Sequence, residues 1–154
     1  MPTRGARFLR EQGIAFELHR YEHAKKGAAY ASQAIGFSLE RTVKTLVVEL
    51  SGNEDILVLM PGNADLDLKK LAKELSVKRA SMADQHTAER VTGYLIGGIS
   101  PFGTKKTMRV VVEEGLLGHD KVAVNAGARG VMAVLSPHDI VQSVNAVPLA
   151  VGTQ

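Results

Sequence analysis

The sequence predicts a single domain of mixed α and β structure, an α/β or α+β fold in which helices surround one mixed, mostly antiparallel sheet. Its 154 residues are enough for one domain with a hydrophobic core. Six or seven segments favour strands and four or five favour helices, and they do not alternate as βαβ units do. The best strand, Val43–Leu50, is followed by a Ser-Gly-Asn turn and a second apolar run at 55–61. These two runs predict a central antiparallel hairpin.

The hydrophobic pattern also predicts the order of the other elements. Apolar residues at helical spacing and capping residues predict helices at 3–12, 28–35, 68–75, 83–92 and 136–144, with Thr3, Asp65 or Asp67, and Ser136 as N-caps. Runs of alternating or β-branched residues predict further strands at 14–21, 108–113, 121–125 and 131–135, and the short segments 77–82 and 145–147 are candidates for a seventh. The chain beyond Val147 is predicted to be a frayed tail.

Composition limits the classes of function that are open. The chain is 45% hydrophobic and 23% charged, as globular proteins are. No apolar run approaches the ~20 residues of a membrane span, and the N-terminus lacks the apolar core of a signal peptide, so we expect a cytoplasmic protein with no membrane association. The absence of cysteine excludes disulfides, thiolate metal sites and a cysteine nucleophile. The net charge of +3 is compatible with a polyanionic partner but is also common without one.

The familiar catalytic motifs are missing. His19 and His23 have a spacing that suggests a metal pair, but four residues of extended chain span about 13 Å, which is too far for one ion. No serine lies in a G-x-S-x-G motif, and the glycine-rich segment is neither a Walker motif nor a Rossmann fingerprint. We therefore expect neither a metal nor a cofactor.

Two other features are candidates for chemistry. The first is Lys44, which shares one face of its predicted strand with apolar residues, while Thr45 points to the opposite face. Such a lysine either extends to water or holds a positive charge in a pocket, and position alone favours the first. The second is the segment from Gly93 to Gly103, called the glycine loop below, which contains four glycines and one proline. This loop either presents backbone N–H groups to a ligand or only reverses the chain.

Cationic side chains give three further candidates. Lys69, Lys70 and Lys73 lie on the outer side of a predicted helix and form a basic patch with Lys78 and Arg79, or simply a solvated face. Lys105 and Lys106 directly follow the glycine loop, where contact with an anion and simple solvation are equally open. Arg129, between Gly127 and Gly130, either binds a phosphate or pairs with a carboxylate such as Asp139.

Six segments together form a more specific pattern: Tyr21-Glu22-His23, Val43-Lys44-Thr45-Leu46, Asp65-Leu66-Asp67-Leu68-Lys69-Lys70, Met82-Ala83-Asp84, residues 92–101 and Arg129-Gly130. In order and spacing this pattern resembles the YbaK proteins, bacterial Cys-tRNA(Pro) deacylases of the YbaK/prolyl-tRNA-synthetase editing-domain superfamily. The resemblance extends over about residues 4–147. It implies a strongly twisted, partly barrel-like sheet and a free-standing editing enzyme that clears Cys-tRNA(Pro), with Cys-tRNA(Cys) as a further candidate substrate.

The resemblance also implies roles for individual residues. Lys44 matches the essential lysine of the family, and the family loop that holds the aminoacyl end of tRNA falls on residues 97–101, so Lys44, Gly97 and Gly98 are expected to be catalytic. The expected substrate contacts are Tyr21, Tyr30, Thr45, Ile99, Ser100, Pro101, Arg129 and Asp139. The expected tRNA phosphate contacts are Lys69, Lys70, Lys73, Lys105 and Lys106. Two positions depart from the family, because Tyr30 stands where phenylalanine is frequent and Ala128 where lysine is frequent.

The implied reaction needs no protein nucleophile. The thiolate of the substrate's own cysteine attacks its ester carbonyl, so the enzyme has only to position the aminoacyl group and stabilise negative charge. The implied partners are aminoacylated tRNA and, transiently, prolyl-tRNA synthetase, since the sequence has no evident anticodon-reading element. Two alternatives remain open: a sibling deacylase that clears alanine or another small amino acid, and a non-catalytic module that binds RNA or a synthetase.

Overall fold

The computed structural model describes residues 3–22 and 27–153, which form two β-sheets with helices packed around them. The helices are α1 (Arg4–Glu11), α2 (Ala28–Ile35), α3 (Leu68–Glu74), α4 (Gln85–Thr92) and α5 (Pro137–Val144), with short 3-10 helices at Leu39–Arg41 and Glu114–Gly118. The strands are β1 (Glu17–Arg20), β2 (Val43–Leu50), β3 (Glu54–Pro61), β4 (Ala80–Met82), β5 (Arg109–Glu113), β6 (Val122–Ala128), β7 (Val131–Leu135) and β8 (Val147–Leu149). Among the described residues, every helix is too short or too polar to span a bilayer.

The mixed, mostly antiparallel class is confirmed, but the strands divide into two sheets rather than one. One sheet has the order β4-β2-β3-β5-β8 and the other has the order β1-β7-β6. The pairs β3–β5 and β5–β8 are parallel, and the remaining pairs are antiparallel. A bridge between Thr42 and Ala123 joins the sheets beside the start of β2. Hydrophobic pattern shows which faces of a strand are buried but not which strands are neighbours, so the division could not be predicted.

The predicted hairpin of β2 and β3 lies at the centre of the fold. It is antiparallel, with Val43 opposite Pro61 and Leu50 opposite Glu54. Successive side chains of a strand point to opposite sides, and hydrophobic core covers both sides of the hairpin. Val43 and Val47 belong to the core that reaches the three-stranded sheet, whereas Val48 belongs to the core beneath α3.

Side-chain caps fix where the helices begin. Thr3 accepts a hydrogen bond from the Ala6 N–H, as predicted for α1. Of the two candidate caps for α3, Asp67 is the cap, and it accepts a hydrogen bond from the Lys70 N–H. Asp65 is therefore left outside the helix, and its carboxylate is free for another contact.

The predicted frayed tail is wrong for the described residues that follow β8. Val151 is fully buried, and the N–H groups of Val151 and Gly152 donate to Oε2 of Glu113 at 2.7 and 2.8 Å. The backbone of the tail also bonds to the segment before α3, because Asp67 N–H donates to Val151 O and Thr153 N–H donates to Asp65 O. The sequence could not show this, since Glu113 is distant in sequence from the tail that it holds.

Several element boundaries also differ from prediction. Strand β1 is limited to the residues that find partners on β7, and β6 continues past Asn125 through a bulge to Ala128. Strand β4 is shorter than predicted at its start, because only Ala80–Met82 pair with β2 and Ala80 already lies opposite Leu50, the last residue of β2.

Replacing Glu113 with alanine should lower the free energy of unfolding by about 2 kcal/mol, because two backbone N–H groups lose a charged acceptor. Urea unfolding measures the change. The matched control is Glu114→Ala, whose side chain is exposed and which should stay within about 0.5 kcal/mol of the wild type. Equal stability of the two variants would contradict the role of Glu113.

Candidate active site

A cavity of about 280 Å³ opens at the start of β2. Its walls come from five segments: the residue after β1, the first half of α2, the start of β2, the glycine loop and the β6–β7 hairpin. The residues that line it are Tyr21, Gly27, Ala28, Ala31, Val43, Lys44, Thr45, Ile96, Gly97, Ile99, Asn125, Arg129, Gly130 and Met132. The structure thus brings together Lys44 and the glycine loop, which lie far apart in the sequence.

Lys44 lies in the cavity wall, which agrees with the interpretation that it holds a positive charge in a pocket. Its Nζ is 3.6 Å from Oδ1 of Asp65, the carboxylate left outside α3. The side chain of Lys44 is 27% exposed and that of Asp65 is 87% exposed. An ion pair with so exposed a partner is weak, so the ammonium group stays available to a ligand. Sequence reasoning considered Asp65 only as a helix cap and missed this contact.

The glycine loop packs so closely on the β6–β7 hairpin that a Cβ on either of two glycines would lie within 3 Å of a hairpin atom. Gly97 has a φ of +92°, and a Cβ there would lie 2.8 Å from Nε of Arg129. A Cβ on Gly98 would lie 2.9 Å from the backbone carbon of Ala128 and 2.9 Å from the backbone nitrogen of Arg129. The close approach of two backbones therefore requires glycine at position 98, whereas glycine at position 97 is favoured by its positive φ.

Side chains of the hairpin hold the glycine loop by its carbonyl groups. Asn125 Nδ2 donates to Gly97 O at 3.2 Å, while its Oδ1 accepts from the Gly127 N–H at 2.7 Å. Arg129 Nε donates to Ile96 O at 2.8 Å. Sequence reasoning missed Asn125, although a polar residue in an apolar strand just before a glycine turn is a usable signal of a bulge.

Residues outside the cavity fix both ends of the glycine loop. On α4, Glu89 Oε2 accepts a hydrogen bond from the Ile96 N–H at 2.8 Å. The buried Tyr94 donates its hydroxyl to Phe102 O, and burial raises the pKa of that hydroxyl, which keeps it a donor. The loop is therefore held at its start, middle and end.

Among the loop residues that line the cavity, two backbone N–H groups are left without partners in the described chain. Gly98 N–H donates to Leu95 O at 2.8 Å, so it is used within the loop. Within the described residues the N–H groups of Gly97 and Ile99 make no hydrogen bond, and both residues line the cavity. Of the predicted pair Gly97 and Gly98, only Gly97 has a backbone N–H without a partner in the described chain, and Ile99 is the second cavity-lining residue of the loop with such a group. Gly98 instead provides the close approach that shapes the loop.

Of three predicted substrate contacts, Tyr21 and Thr45 line the cavity and Tyr30 does not. Tyr21 lines the cavity, and burial raises the pKa of its hydroxyl, which therefore stays protonated at neutral pH. Tyr30 lies behind it, with ring centroids 6.0 Å apart, and donates its hydroxyl to Glu22 O. Thr45 lines the cavity, and its Oγ1 has no hydrogen-bond partner among the described residues.

Ser100, Pro101 and Asp139 lie outside the cavity. Ser100 is fully buried, and its Oγ accepts a hydrogen bond from the Phe102 N–H. Pro101 is buried and lines a separate groove beside α5. Asp139 lies in the first turn of α5 and makes no ion pair with Arg129 in the described part of the chain. Their predicted contacts would need the aminoacyl group to extend beyond this cavity.

The predicted phosphate-binding lysines also lie away from the cavity. Lys106 pairs with Asp55 at 3.5 Å, and Lys105 is exposed beside the end of α4. Lys69, Lys70 and Lys73 lie on α3. His23, which belongs to the pattern noted in the sequence, lies outside the described residues. Elsewhere, the described residues contain no cluster of three or more histidines and carboxylates that could hold a metal ion.

The arrangement suits a small ligand that develops negative charge. Lys44 supplies a cation, Gly97 and Ile99 supply free N–H donors, and Tyr21 supplies a neutral hydroxyl. Such groups form an oxyanion site when they converge on one position.

Sequence comparison identifies the class to which this arrangement belongs. The chain matches the aminoacyl-tRNA editing domain family over residues 22–142, which contain every described residue that lines the cavity except Tyr21. The chain therefore belongs to that family, and its general function is aminoacyl-tRNA editing.

Individual relatives agree with this class. The chain is 30% identical over 145 residues to EbsC of Enterococcus faecalis, provisionally named a Cys-tRNA(Pro)/Cys-tRNA(Cys) deacylase, covering 93% of this chain and 88% of that one. It is 28% identical over 135 residues to the multifunctional Ser/Thr-tRNA deacylase ProXp-y of Escherichia coli, covering 85% and 80% of the two chains. A crystal structure of a candidate trans-editing enzyme for prolyl-tRNA synthetase shares the fold, with a TM-score of 0.89, 23% identity and coverage of 98% and 96%.

Replacing Gly98 with alanine should displace the glycine loop, because the new Cβ meets two backbone atoms that cannot rotate away. We expect a loss of about 1–3 kcal/mol in the free energy of unfolding, together with a fall in aminoacyl-tRNA deacylation. The control is Gly118→Ala, where a Cβ meets nothing within 4 Å. A Gly98→Ala protein that is as stable and active as this control would show that the close approach is unimportant.

Proposed function

We propose that this protein is a trans-editing deacylase that removes cysteine from mischarged Cys-tRNA(Pro), with Cys-tRNA(Cys) as a further substrate. The observation that carries the proposal is that Lys44 lines the same small cavity as Gly97 and Ile99, whose backbone N–H groups have no partner in the described chain. The name of EbsC supports cysteine as the amino acid. Aminoacyl-tRNA is made where translation takes place, so we place the protein in the cytoplasm.

The polar groups in the cavity favour a nucleophile that the substrate brings. The described lining residues include no carboxylate and no histidine, so none of them is an ordinary general base at neutral pH. A cysteinyl ester carries its own nucleophile, since its thiol is partly ionised near neutral pH. The hydroxyls of Tyr21 and Thr45 remain protonated donors or acceptors rather than nucleophiles.

In the proposed reaction the thiol loses its proton to solvent, and the thiolate sulfur forms a bond to the ester carbonyl carbon. The bond between that carbon and the ribose oxygen then breaks, which releases a cyclic thiolactone, and the ribose oxygen takes up a proton. Negative charge develops first on the carbonyl oxygen and then on the ribose oxygen. We assign the N–H groups of Gly97 and Ile99 to the first oxygen and the Lys44 ammonium to the second.

Replacing Lys44 with alanine should slow the release of cysteine from Cys-tRNA(Pro) by about 10²–10³-fold, because one charged donor to the transition state is lost. Single-turnover deacylation of labelled aminoacyl-tRNA measures the rate, and thermal unfolding checks the fold. The control is Asp65→Asn, which removes only the exposed partner of Lys44 and should cost far less. A folded Lys44→Ala protein with full activity would rule out this mechanism.

S-methylcysteinyl-tRNA(Pro) should resist the enzyme, because a methylated sulfur cannot ionise and close the ring. We expect its release to be no faster than the uncatalysed hydrolysis, while Cys-tRNA(Pro) is cleared under the same conditions. Rapid enzymatic release of the methylated amino acid would instead identify water as the nucleophile.

A second candidate specificity is a sibling deacylase that clears alanine or another small amino acid. The similarity to ProXp-y favours it, since that protein is named for serine and threonine. Assays on a panel of mischarged tRNAs separate the two, because serine is a poorer nucleophile than a thiolate and alanine has none. Binding without turnover of every member would indicate a non-catalytic module.

For partner selection we propose a transient complex with prolyl-tRNA synthetase. The support comes from the related protein of known crystal structure, which is described as a candidate trans-editing enzyme for that synthetase. Such a complex would supply the choice of tRNA, for which this chain has no evident anticodon-reading element.

A further inference from the structure

A second concave surface lies between α3 and the start of β4. It is a groove of about 540 Å³, and four of the residues that line it are cationic: Lys69, Lys73, Lys78 and Arg79. This concavity with its four cations is called the basic groove below. No acidic residue among the described ones lines this groove. Lys70, which the sequence grouped with Lys69 and Lys73, lies outside it.

The fold fixes the four cations on opposite sides of the groove. Lys69 and Lys73 are four residues apart on α3 and so lie on the same face of the helix. Ser76, with its positive φ, reverses the chain after α3. The Arg79 backbone is then tied to the β2–β3 turn, because its N–H donates to Ser51 Oγ and its carbonyl accepts from the Ser51 N–H.

The charges of the basic groove are not neutralised by the protein. The ion pairs of the described residues involve Lys44, Lys106 and Arg109 and none of the four groove cations. All four side chains belong to exposed residues. Like charges around one concavity repel each other, and a polyanion that enters it both relieves this repulsion and releases its own counterions.

The position of the basic groove relates it to the cavity. Asp65, which pairs with Lys44 at the cavity, lies just before α3, whereas β4 pairs with the far end of β2 at Val48–Leu50. The stretch of β2 from Lys44 to Leu50 is about 20 Å long. At about 3.4 Å per phosphate along one strand of a helical nucleic acid, this corresponds to roughly six phosphates.

We infer that the basic groove binds the phosphate backbone of the tRNA whose aminoacyl end occupies the cavity. The identity of that tRNA ligand rests on the proposed function. The contact is electrostatic and independent of sequence, because lysine side chains bind phosphate as point charges. Selection of the amino acid then belongs to the cavity, and affinity for the tRNA body belongs to the groove.

The test compares two double variants that change the net charge equally. One is Lys73→Glu with Lys78→Glu in the groove, and the control is Arg7→Glu with Lys121→Glu, two exposed residues elsewhere. The probe is uncharged tRNA(Pro) transcript, whose binding is followed by fluorescence anisotropy over a range of salt concentrations. Because no turnover is needed, the result does not depend on whether the protein deacylates anything.

We expect the groove variant to bind the transcript at least about tenfold more weakly than the control, with a slope of log K against log salt that is shallower by about two. Lys73→Gln with Lys78→Gln gives the same comparison if charge reversal impairs folding. Equal affinity and slope in the groove and control variants would overturn the inference. So would a groove variant that binds the transcript normally and loses only prolyl-tRNA synthetase, since the groove would then be a protein-binding surface. A wild type that binds tRNA through the groove but clears no amino acid would refute the proposed function alone.

Discussion

The close contact between the glycine loop and the β6–β7 hairpin is the constraint on which the cavity depends. A Cβ on Gly98 would meet backbone atoms of the hairpin, and Gly97, which has a positive φ, lies against the side chain of Arg129. Asn125 and Arg129 hold the carbonyl groups of the loop from the hairpin side. The N–H groups of Gly97 and Ile99 have no partner among the described residues, and both residues line the cavity. A rigid backbone donor costs no reorganisation when charge develops, which is how such sites accelerate a reaction.

A second set of contacts surrounds Lys44, the cation of the cavity. Lys44 lies at the start of a strand whose two faces are both covered, and its only ion-pair partner in the described chain is Asp65. The segment that carries Asp65 is bonded to the C-terminal tail, and the tail is held by the carboxylate of Glu113. The segment that carries Asp65 is therefore tied to the end of β5 through the tail, while the exposed ion pair between Asp65 and Lys44 is itself weak. The tail, which the sequence predicted to be frayed, therefore has a structural role.

Much of the fold could be predicted because the signals are local. The β2–β3 hairpin and the caps at Thr3 and Ser136 follow from residue types at fixed spacing, and the structure confirms them. Lys44 was singled out by its place at the end of an apolar strand face. The free N–H of Ile99, the contact of Asp65 with Lys44 and the role of Asn125 depend on elements that meet only after folding. No periodicity in the sequence carries that information, and the same is true of the division into two sheets.

The central claim is that the cavity stabilises an anion on a substrate that supplies its own nucleophile. A crystal structure with a non-hydrolysable cysteinyl-adenosine analogue tests it most directly. We expect the carbonyl oxygen within hydrogen-bond distance of the Gly97 or Ile99 N–H and the ribose oxygen near Nζ of Lys44. The sulfur should lie over the carbonyl carbon, with no protein side chain between them. An analogue bound elsewhere, or bound with its carbonyl oxygen directed away from the glycine loop, would contradict the account.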